Sequence, residues 1–492
     1  MKTSAMLALI LAPAALCANP SVERVVVRQQ WPWSTDVKVE YSLSGVDSGN
    51  PVDISVRAFN GSVELPSANL EAAITGERFG ITSPVGAFTI DPVAAFGTEQ
   101  VALGNFKVQL SLSASSANMN DILYKIVDLD EPYAVTDVRR RDFYNGKYGS
   151  FVTNFSDIAT GWTTSLDDVL IWTGVTEDDT YKTSKMVFRR IPAKNKSFQF
   201  MYGVAAATNA YYAAGQGINV SFSKDYYIGV FEVTQAQFMK MVNYASVENF
   251  YLNNADYSAT RPADNVLFYT SNTSKLGVRS IDNKWPNSTS HSLSYSTAYY
   301  GLVEAMQAKT GLLVDAPTQA MWEYACRAGT DTMKYSGQGS YTSGGGLNDA
   351  FINSAAWTAN TQRSGYTRKS WTEVPRTADL SRGSEPVGSL LPNAFGLYDM
   401  LGNICEWCLD QYVAAGNLWK ESCFSGEDNV DPIGPTSVTE SQNSARGIRG
   451  GGWGDIAIEN GSMGVVSRGN NQTTLGGVRL CIYLDNHDDG TK

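Results

Sequence analysis

The stretch Pro392-Asn393-Ala394-Phe395-Gly396-Leu397-Tyr398-Asp399-Met400-Leu401-Gly402-Asn403-Ile404-Cys405-Glu406-Trp407-Cys408 decides how the second half of the chain folds. Glycine and asparagine punctuate its apolar residues with turn signals, and the same character dominates the chain after Gly329. Long irregular stretches between few elements predict a surface made mostly of loops, and such loops need pins, by disulfide or by a hard cation. Asp399 and Glu406 set a carboxylate at each end of one tight loop. Read alone, Asp399 caps a turn and Glu406 is a buried hydrogen-bond acceptor beside Trp407. Cys405 and Cys408 have C-x-x-C spacing, which suits redox chemistry, half a zinc site, or a staple in which one of them bridges to Cys423. A second metal pair is missing, so the staple is the preferred reading.

Upstream, from Met186, short strands mix with a few helices. Thr234 is an N-cap followed by Phe238, Met241 and Val242 at helical spacing. A second helix is expected from Ser296 to Thr310, stopped by Gly311. A third begins after Pro317-Thr318, turns Met321, Trp322 and Ala325 inward and ends near Gly329. Residues 184–485 are thus one loop-rich α+β domain. Residues 21–112 read differently, because Val37-Lys38-Val39-Glu40-Tyr41, Val52-Asp53-Ile54-Ser55-Val56 and Phe106-Lys107-Val108-Gln109-Leu110 alternate apolar and polar side chains. That pattern predicts an all-β sandwich of immunoglobulin-like or fibronectin-like size. Residues 113–183 read as a linker and irregular lead-in. Within them Arg139-Arg140-Arg141, flanked by Asp137 and Asp142, read as a solvated, internally compensated surface rather than an anion site.

Composition narrows the function. The 492 residues carry a net charge of −11, which repels a phosphate backbone and makes nucleic acid a poor partner. The chain has only 2 histidines, His291 and His487, a sharp limit on zinc proteases and facial-triad iron sites, which require placed imidazoles. His291 reads as a loop residue and His487 as part of a polar tail. Lys2 and the apolar run Ala5 to Ala15, ending in small residues, read as a signal peptide over residues 1–18, and no other run is long enough to span a bilayer. A secreted protein follows, extracellular, periplasmic or at the cell surface. Loss of Cys17 leaves Cys326, Cys405, Cys408, Cys423 and Cys481 in an oxidising compartment, where disulfides are favoured.

Four blocks carry a resemblance. Tyr227-Ile228-Gly229-Val230-Phe231-Glu232-Val233-Thr234, Ala316-Pro317-Thr318-Gln319-Ala320-Met321-Trp322-Glu323-Tyr324-Ala325-Cys326-Arg327, the stretch quoted first, and Arg449-Gly450-Gly451-Gly452-Trp453 resemble, in order, the formylglycine-generating enzyme or sulfatase-modifying factor family. The resemblance spans about Met186 to Leu484 and implies a loop-rich fold related to C-type lectins, with the N-terminal sandwich outside it. The family's enzymes oxidise a sulfatase cysteine to formylglycine with oxygen and a thiolate pair that holds copper. Here those two positions fall on Asp455 and Asn460, and Gly452 replaces the serine of the glycine block. Oxygen donors hold Cu(I) badly, so no copper is expected. Arg468 matches a family arginine. The resemblance further implies a structural calcium on Asp399, Gly402, Ile404 and Glu406, with a second calcium region at Ala356 to Gln362 that lacks an identifiable acidic ligand. It places Cys326 and Cys481 near positions where some members form a disulfide. The fold's three-histidine iron enzymes are excluded by the histidine count. The expected function is a non-catalytic binding or surface module for an extracellular glycan, peptide or protein, with Trp453, Asp455, Asn460 and Arg468 on the ligand face. The alternative is a formylglycine-generating oxidoreductase with altered chemistry.

Overall fold

The computed structural model describes residues 19–30, 33–97, 101–200, 218–242, 259–264, 266, 301–330, 354–357, 384–411, 429–432, 446–452, 466–468 and 476–484. They fall into two compact units, Met1–Asp121 with Arg139–Gly149, and Ile122–Val138 with Ser150–Lys492.

In the first unit the alternating segments form strands, as their period requires. They are β1 (Ser21–Gln29), β2 (Val37–Ser44), β3 (Val52–Asn60), β4 (Val63–Glu64), β5 (Ile74–Gly76), β6 (Val85–Ile90) and β7 (Phe106–Ala114). One sheet has the order β1-β2-β6-β5 and the other β4-β3-β7. Val39, Tyr41 and Leu43 of β2, Val52, Ile54, Val56 and Ala58 of β3, and Phe88 and Ile90 of β6 are buried in one shared core. Each of the valine, leucine and isoleucine side chains among them contributes about 1.5–3 kcal/mol. The unit is not all-β: α1 (Ser67–Ala72) and α2 (Pro92–Phe96) interrupt it. Asp91 starts α2 by accepting from the Val93 and Ala94 N–H groups, Pro92 suits its first turn, and Gly97 at φ 65° ends it.

Residues 113–183 are not a linker. β8 (Ile122–Asp128) and β9 (Val135–Arg139) complete the main sheet of the second unit, whereas α3 (Arg140–Tyr144) belongs to the first. Leu123, Tyr124, Ile126 and Val127 are all buried. A strand covered on both faces shows no alternation, which is why its sequence looked irregular. The arginine run is structural rather than a solvated surface. Arg140 is buried, Arg141 Nη1 donates to the Gly80 carbonyl at 2.8 Å, and Asp142 caps α3 by accepting from the Arg139 N–H at 2.7 Å.

The second unit is mixed α and β. After α4 (Thr180–Thr183) come β10 (Lys185–Ile191), β11 (Ser197–Phe200), β12 (Ile218–Ser221), β13 (Tyr226–Gly229), α5 (Gln235–Met241), α6 (Leu302–Thr310), β14 (Val314–Asp315) and α7 (Gln319–Arg327). Short strands follow: β15 (Ala356–Trp357), β16 (Leu401–Gly402), β17 (Cys405–Gln411), β18 (Arg446–Arg449), β19 (Val466–Arg468), β20 (Gly476–Gly477) and β21 (Cys481–Tyr483). The main sheet has the order β14-β21-β13-β10-β8-β9. Thr234 caps α5 in a reciprocal box with Gln237, at 3.2 and 3.0 Å. Gly311, at φ 70°, stops α6, whose expected first turn at residues 296–300 lies outside the described residues. α7 ends on Ala328 at φ 46°, one residue before the glycine expected to stop it. Among the described residues no helix is long and apolar enough to cross a membrane.

Among the described residues there is no disulfide: Cys326, Cys405, Cys408 and Cys481 are thiols. The staple expected between Cys326 and Cys481 is therefore not made. Both side chains are 0% exposed within the same apolar cluster, where they act as small hydrophobic fillers. Cys423, the expected partner of Cys405 or Cys408, lies outside the described residues.

Candidate functional site

The segment between Tyr398 and Cys405 is bent by left-handed residues, Asp399 at φ 55°, Gly402 at 81° and Asn403 at 56°. At Gly402 only glycine fits, because a Cβ there would sit 2.2 Å from the Trp357 carbonyl oxygen. The close approach is what lets β15 pair in parallel with β16 and the Asn403 N–H reach Trp357 O at 2.8 Å. Glu232 fastens the far side, accepting from Asn403 Nδ2 at 2.8 Å and from the Ile404 N–H at 3.1 Å.

Glu406 is fully buried and already engaged. Its carboxylate accepts from Arg479 Nη2 at 2.8 Å, Arg479 Nε at 3.0 Å and Trp322 Nε1 at 2.5 Å. Arg479 spends its remaining donors on the carbonyls of Gly229, Val230 and Tyr398 at 2.8 to 3.0 Å. Buried charges persist only when paired and hydrogen-bonded in this way. Asp399 is less well served. Its Oδ2 accepts from the Gly388 N–H at 2.6 Å, but Oδ1 is buried without a hydrogen-bond partner among the described residues. Burial pushes its pKa up to about 6. Burial, then the charges of Asp399 and Glu406, push Glu232 up as well.

Glu232, Asp399 and Glu406 interact electrostatically with one another and with Arg479, and Lys182 adds a second cation that acts on Asp399. The orphaned Asp399 Oδ1 is the group there that suits a hard divalent cation. Glu406 fits the expected ligand role poorly, since Arg479 neutralises it. Among the described residues no three Asp, Glu, His or Cys side chains converge for a metal, so Gly402 and Ile404 carbonyls would have to complete such a shell with Asp399.

A second buried network positions the glycine block. Glu323 accepts from Arg327 Nε at 2.9 Å and from Arg449 Nη1 at 3.0 Å, and Arg449 Nε reaches Gln319 Oε1 at 3.2 Å. Asp410 Oδ2 accepts from the Gln319 N–H at 2.6 Å, at the start of α7. Gly450 and Gly451 then turn at φ 89° and 71°. A Cβ on Gly452 would lie 3.6 Å from Cys405 Sγ, so the block runs directly past that thiol. Cys405 is 5% exposed, and Cys326, Cys408 and Cys481 are 0% exposed. Burial pushes the thiols of Cys326, Cys408 and Cys481 up, away from the reactive thiolate.

Asp399, Gly402, Ile404 and Glu406 all lie among the described residues, Asp399 just before β16, Gly402 within it and Glu406 in β17. Trp453, Asp455, Asn460 and both histidines lie outside the described residues, and Arg468 is placed only through the pairing of its backbone with Arg446. Sequence reasoning missed Glu232, Trp322, Arg479, Glu323, Arg449 and Asp410. Their signal was a lone charge inside an apolar run, as in Val230-Phe231-Glu232-Val233 and Val478-Arg479-Leu480. A separate shallow cleft is lined by Phe222, Lys224, Asp225, Tyr226, Asp431 and Tyr483 among others. It contains none of the expected site residues.

Residues 198–480, more than half of the chain, match the family described as sulfatase-modifying factor enzyme 1-like domain. The formylglycine-generating enzyme of Thermomonospora curvata is 30% identical over 137 residues, 28% of this chain and 37% of that protein. Its Bos taurus counterpart is 32% identical over 126 residues, 25% of this chain and 26% of that protein. The chain therefore aligns with well under half the length of these relatives. Among solved structures, Treponema denticola variable protein 1 is similar at 20% identity and TM-score 0.39, covering 61% of this chain and 95% of that one. PvdO from Pseudomonas aeruginosa is similar at 18% identity and TM-score 0.36, covering 61% and 94%. On the strength of the match over residues 198–480, the chain belongs to the sulfatase-modifying factor enzyme 1-like family.

Proposed function

We propose that this protein is a secreted, non-catalytic binding module that has kept the family's scaffold and given up its chemistry. The observation that carries the reading is the absence of sulfur where the chemistry needs it. The two positions that hold thiolates in the family are Asp455 and Asn460, and carboxylate and amide oxygens neither grip Cu(I) nor exchange with a substrate thiol. The thiols that remain among the described residues are buried, so none stands ready as a substitute. The ligand is an extracellular glycan or peptide, met by the face that carries Trp453, Asp455, Asn460 and Arg468, where an aromatic ring and amide or carboxylate groups supply stacking and hydrogen bonds. Residues 1–18 direct export, the N-terminal two-sheet unit is an immunoglobulin-like module, and a calcium ion at Asp399 stiffens its own loop.

Two measurements test this together. The purified chain, supplied with copper, is incubated with a Cys-x-Pro-x-Arg peptide, and aldehyde is quantified; none is expected. The same chain is applied to glycan and peptide arrays, where selective binding that is lost on Trp453→Ala is expected. Stoichiometric aldehyde would establish an oxidase instead, and a blank array would remove the binding reading.

A further inference from the structure

One end of the N-terminal unit carries apolar side chains that its core does not use. The chain from Ile74 to Ile81 pairs with β6 at its start, Ile74↔Ile90, and with β3 at its end, where the Ile54 and Val52 N–H groups donate to the Arg78 and Ile81 carbonyls at 2.7 and 3.0 Å. That run aligns the two sheets. The connection from β1 to β2 (30–36), beside Val37↔Ile90, therefore lies at the same end as the turn from β3 to β4 (61–62) and the lead-in to β7 (101–105). Trp33 is 90% exposed in the first of these loops, and Val63, beside the second, is 63% exposed. Val101 and Leu103 of the third are half-buried. Main-chain bonds fix the loops in this pose. The Trp33 and Ser34 N–H groups both donate to the Gln30 carbonyl, at 3.0 and 3.2 Å. Asn60 Nδ2 donates to the Ala102 carbonyl at 3.1 Å, and its Oδ1 accepts from the Gly104 N–H at 3.0 Å. A tryptophan held in water by an ordered turn forgoes the burial that its ring could otherwise contribute.

We propose that this end docks on a lipid surface without net charge, with Trp33 entering the interfacial layer and Val63 beside it. The apolar groups stand at the apices of separate loops. A sugar ring or a peptide side chain would be held there from one side only, whereas a fluid interface closes around each apex. Tryptophan suits that layer because its ring is apolar and its N–H polar. The charges at this end decide which lipid. Residues 30–36, 61–73, 91–97 and 101–105 include no lysine or arginine, so the polybasic attraction that anionic headgroups require is missing. Of the carboxylates there, Glu64 is paired with Arg57, Glu71 with Arg78, and Asp91 caps α2, so Asp36 is the remaining one. Docking through one ring and a few aliphatic groups is weak and reversible, as for a single short anchor.

The test is co-sedimentation of the chain lacking residues 1–18 with phosphatidylcholine vesicles, across a series that reaches millimolar lipid. The wild type is expected to sediment in proportion to lipid, equally at low and high salt. Trp33→Ser should weaken the partition about tenfold, and Val63→Ser should weaken it less. Val85→Ser is the control. Val85 is also 63% exposed, but it pairs with Ser42, at the far end of β2 from the Trp33 turn, so its loss should change nothing. All three side chains face solvent, and unchanged melting verifies that each variant is folded. A wild type that stays in the supernatant at every lipid concentration overturns the proposal, as does a Trp33→Ser variant that sediments like the wild type. An equal loss on Val85→Ser overturns it too, because the chain would then adhere without regard to this end. Sedimentation with phosphatidylglycerol vesicles alone, abolished by salt, overturns it by placing the attraction in charge.

Discussion

The guanidinium of Arg479 lies 2.8 Å from the carboxylate of Glu406, and neither group is more than 1% exposed. This pair joins the segment between β20 and β21 to β17, just after the loop that carries Asp399, and Arg479 also donates to the carbonyls of Gly229, Val230 and Tyr398. Removing one partner leaves the other charge buried and alone, which costs about 3–5 kcal/mol. Arg479→Ala and Glu406→Ala are each expected to lose that much in urea unfolding, with the double variant less damaged than the two losses combined. Additive losses would mean that the two residues do not act as a pair.

Calcium should stabilise the fold through Asp399. Melting is expected at a higher temperature with calcium than with chelator, and Asp399→Asn should abolish the difference. A wild type whose melting point ignores both additives would dismiss the ion.

Asp410 gives a pH dependence with a definite sign. Burial outweighs its hydrogen bond from Gln319 and pushes its pKa up to about 6 from 3.8, so the folded state binds this proton more tightly than the unfolded chain. Its contribution to stability is therefore greatest below about pH 4 and declines as pH rises to about 6, by on the order of 3 kcal/mol. Asp410→Asn keeps an acceptor for the Gln319 N–H but cannot ionise. The variant should gain on the wild type as pH rises through that window, and a constant difference in stability between the two would contradict the account.

Two glycines separate conformational need from mere spacing. Gly402→Ala meets both a positive φ and a carbonyl oxygen at 2.2 Å, and should cost several kcal/mol or prevent folding. Gly452→Ser restores the family's residue with an ordinary 3.6 Å contact to Cys405, and should leave thermal stability nearly unchanged. Comparable losses at both positions would show that the glycine block cannot accept any side chain.

Much of the architecture was legible locally. The alternation of β2, β3 and β7 and the Thr234 and Thr318 caps depend on residues a few positions apart, so the linear order carries them. β8 was not legible, because burial on both faces erases the period that marks a strand. Nor were the short helices around Leu70 and Ala95, which at 6 and 5 residues are too short to show a helical period.

The amino-acid order alone carried the family blocks, and through that resemblance the expectation that Asp455 and Asn460 stand at the thiolate positions, because identity at a motif position needs no coordinates. It also named Asp399 and Glu406 as chemically important. Only the folded chain could give them different roles: Glu406 is neutralised by a residue 73 positions away, while Asp399 keeps an oxygen without a hydrogen-bond partner among the described residues. Such a division rests on distances and burial between remote segments, and in a low-dielectric interior those quantities decide whether a carboxylate is paired, protonated or left for a cation.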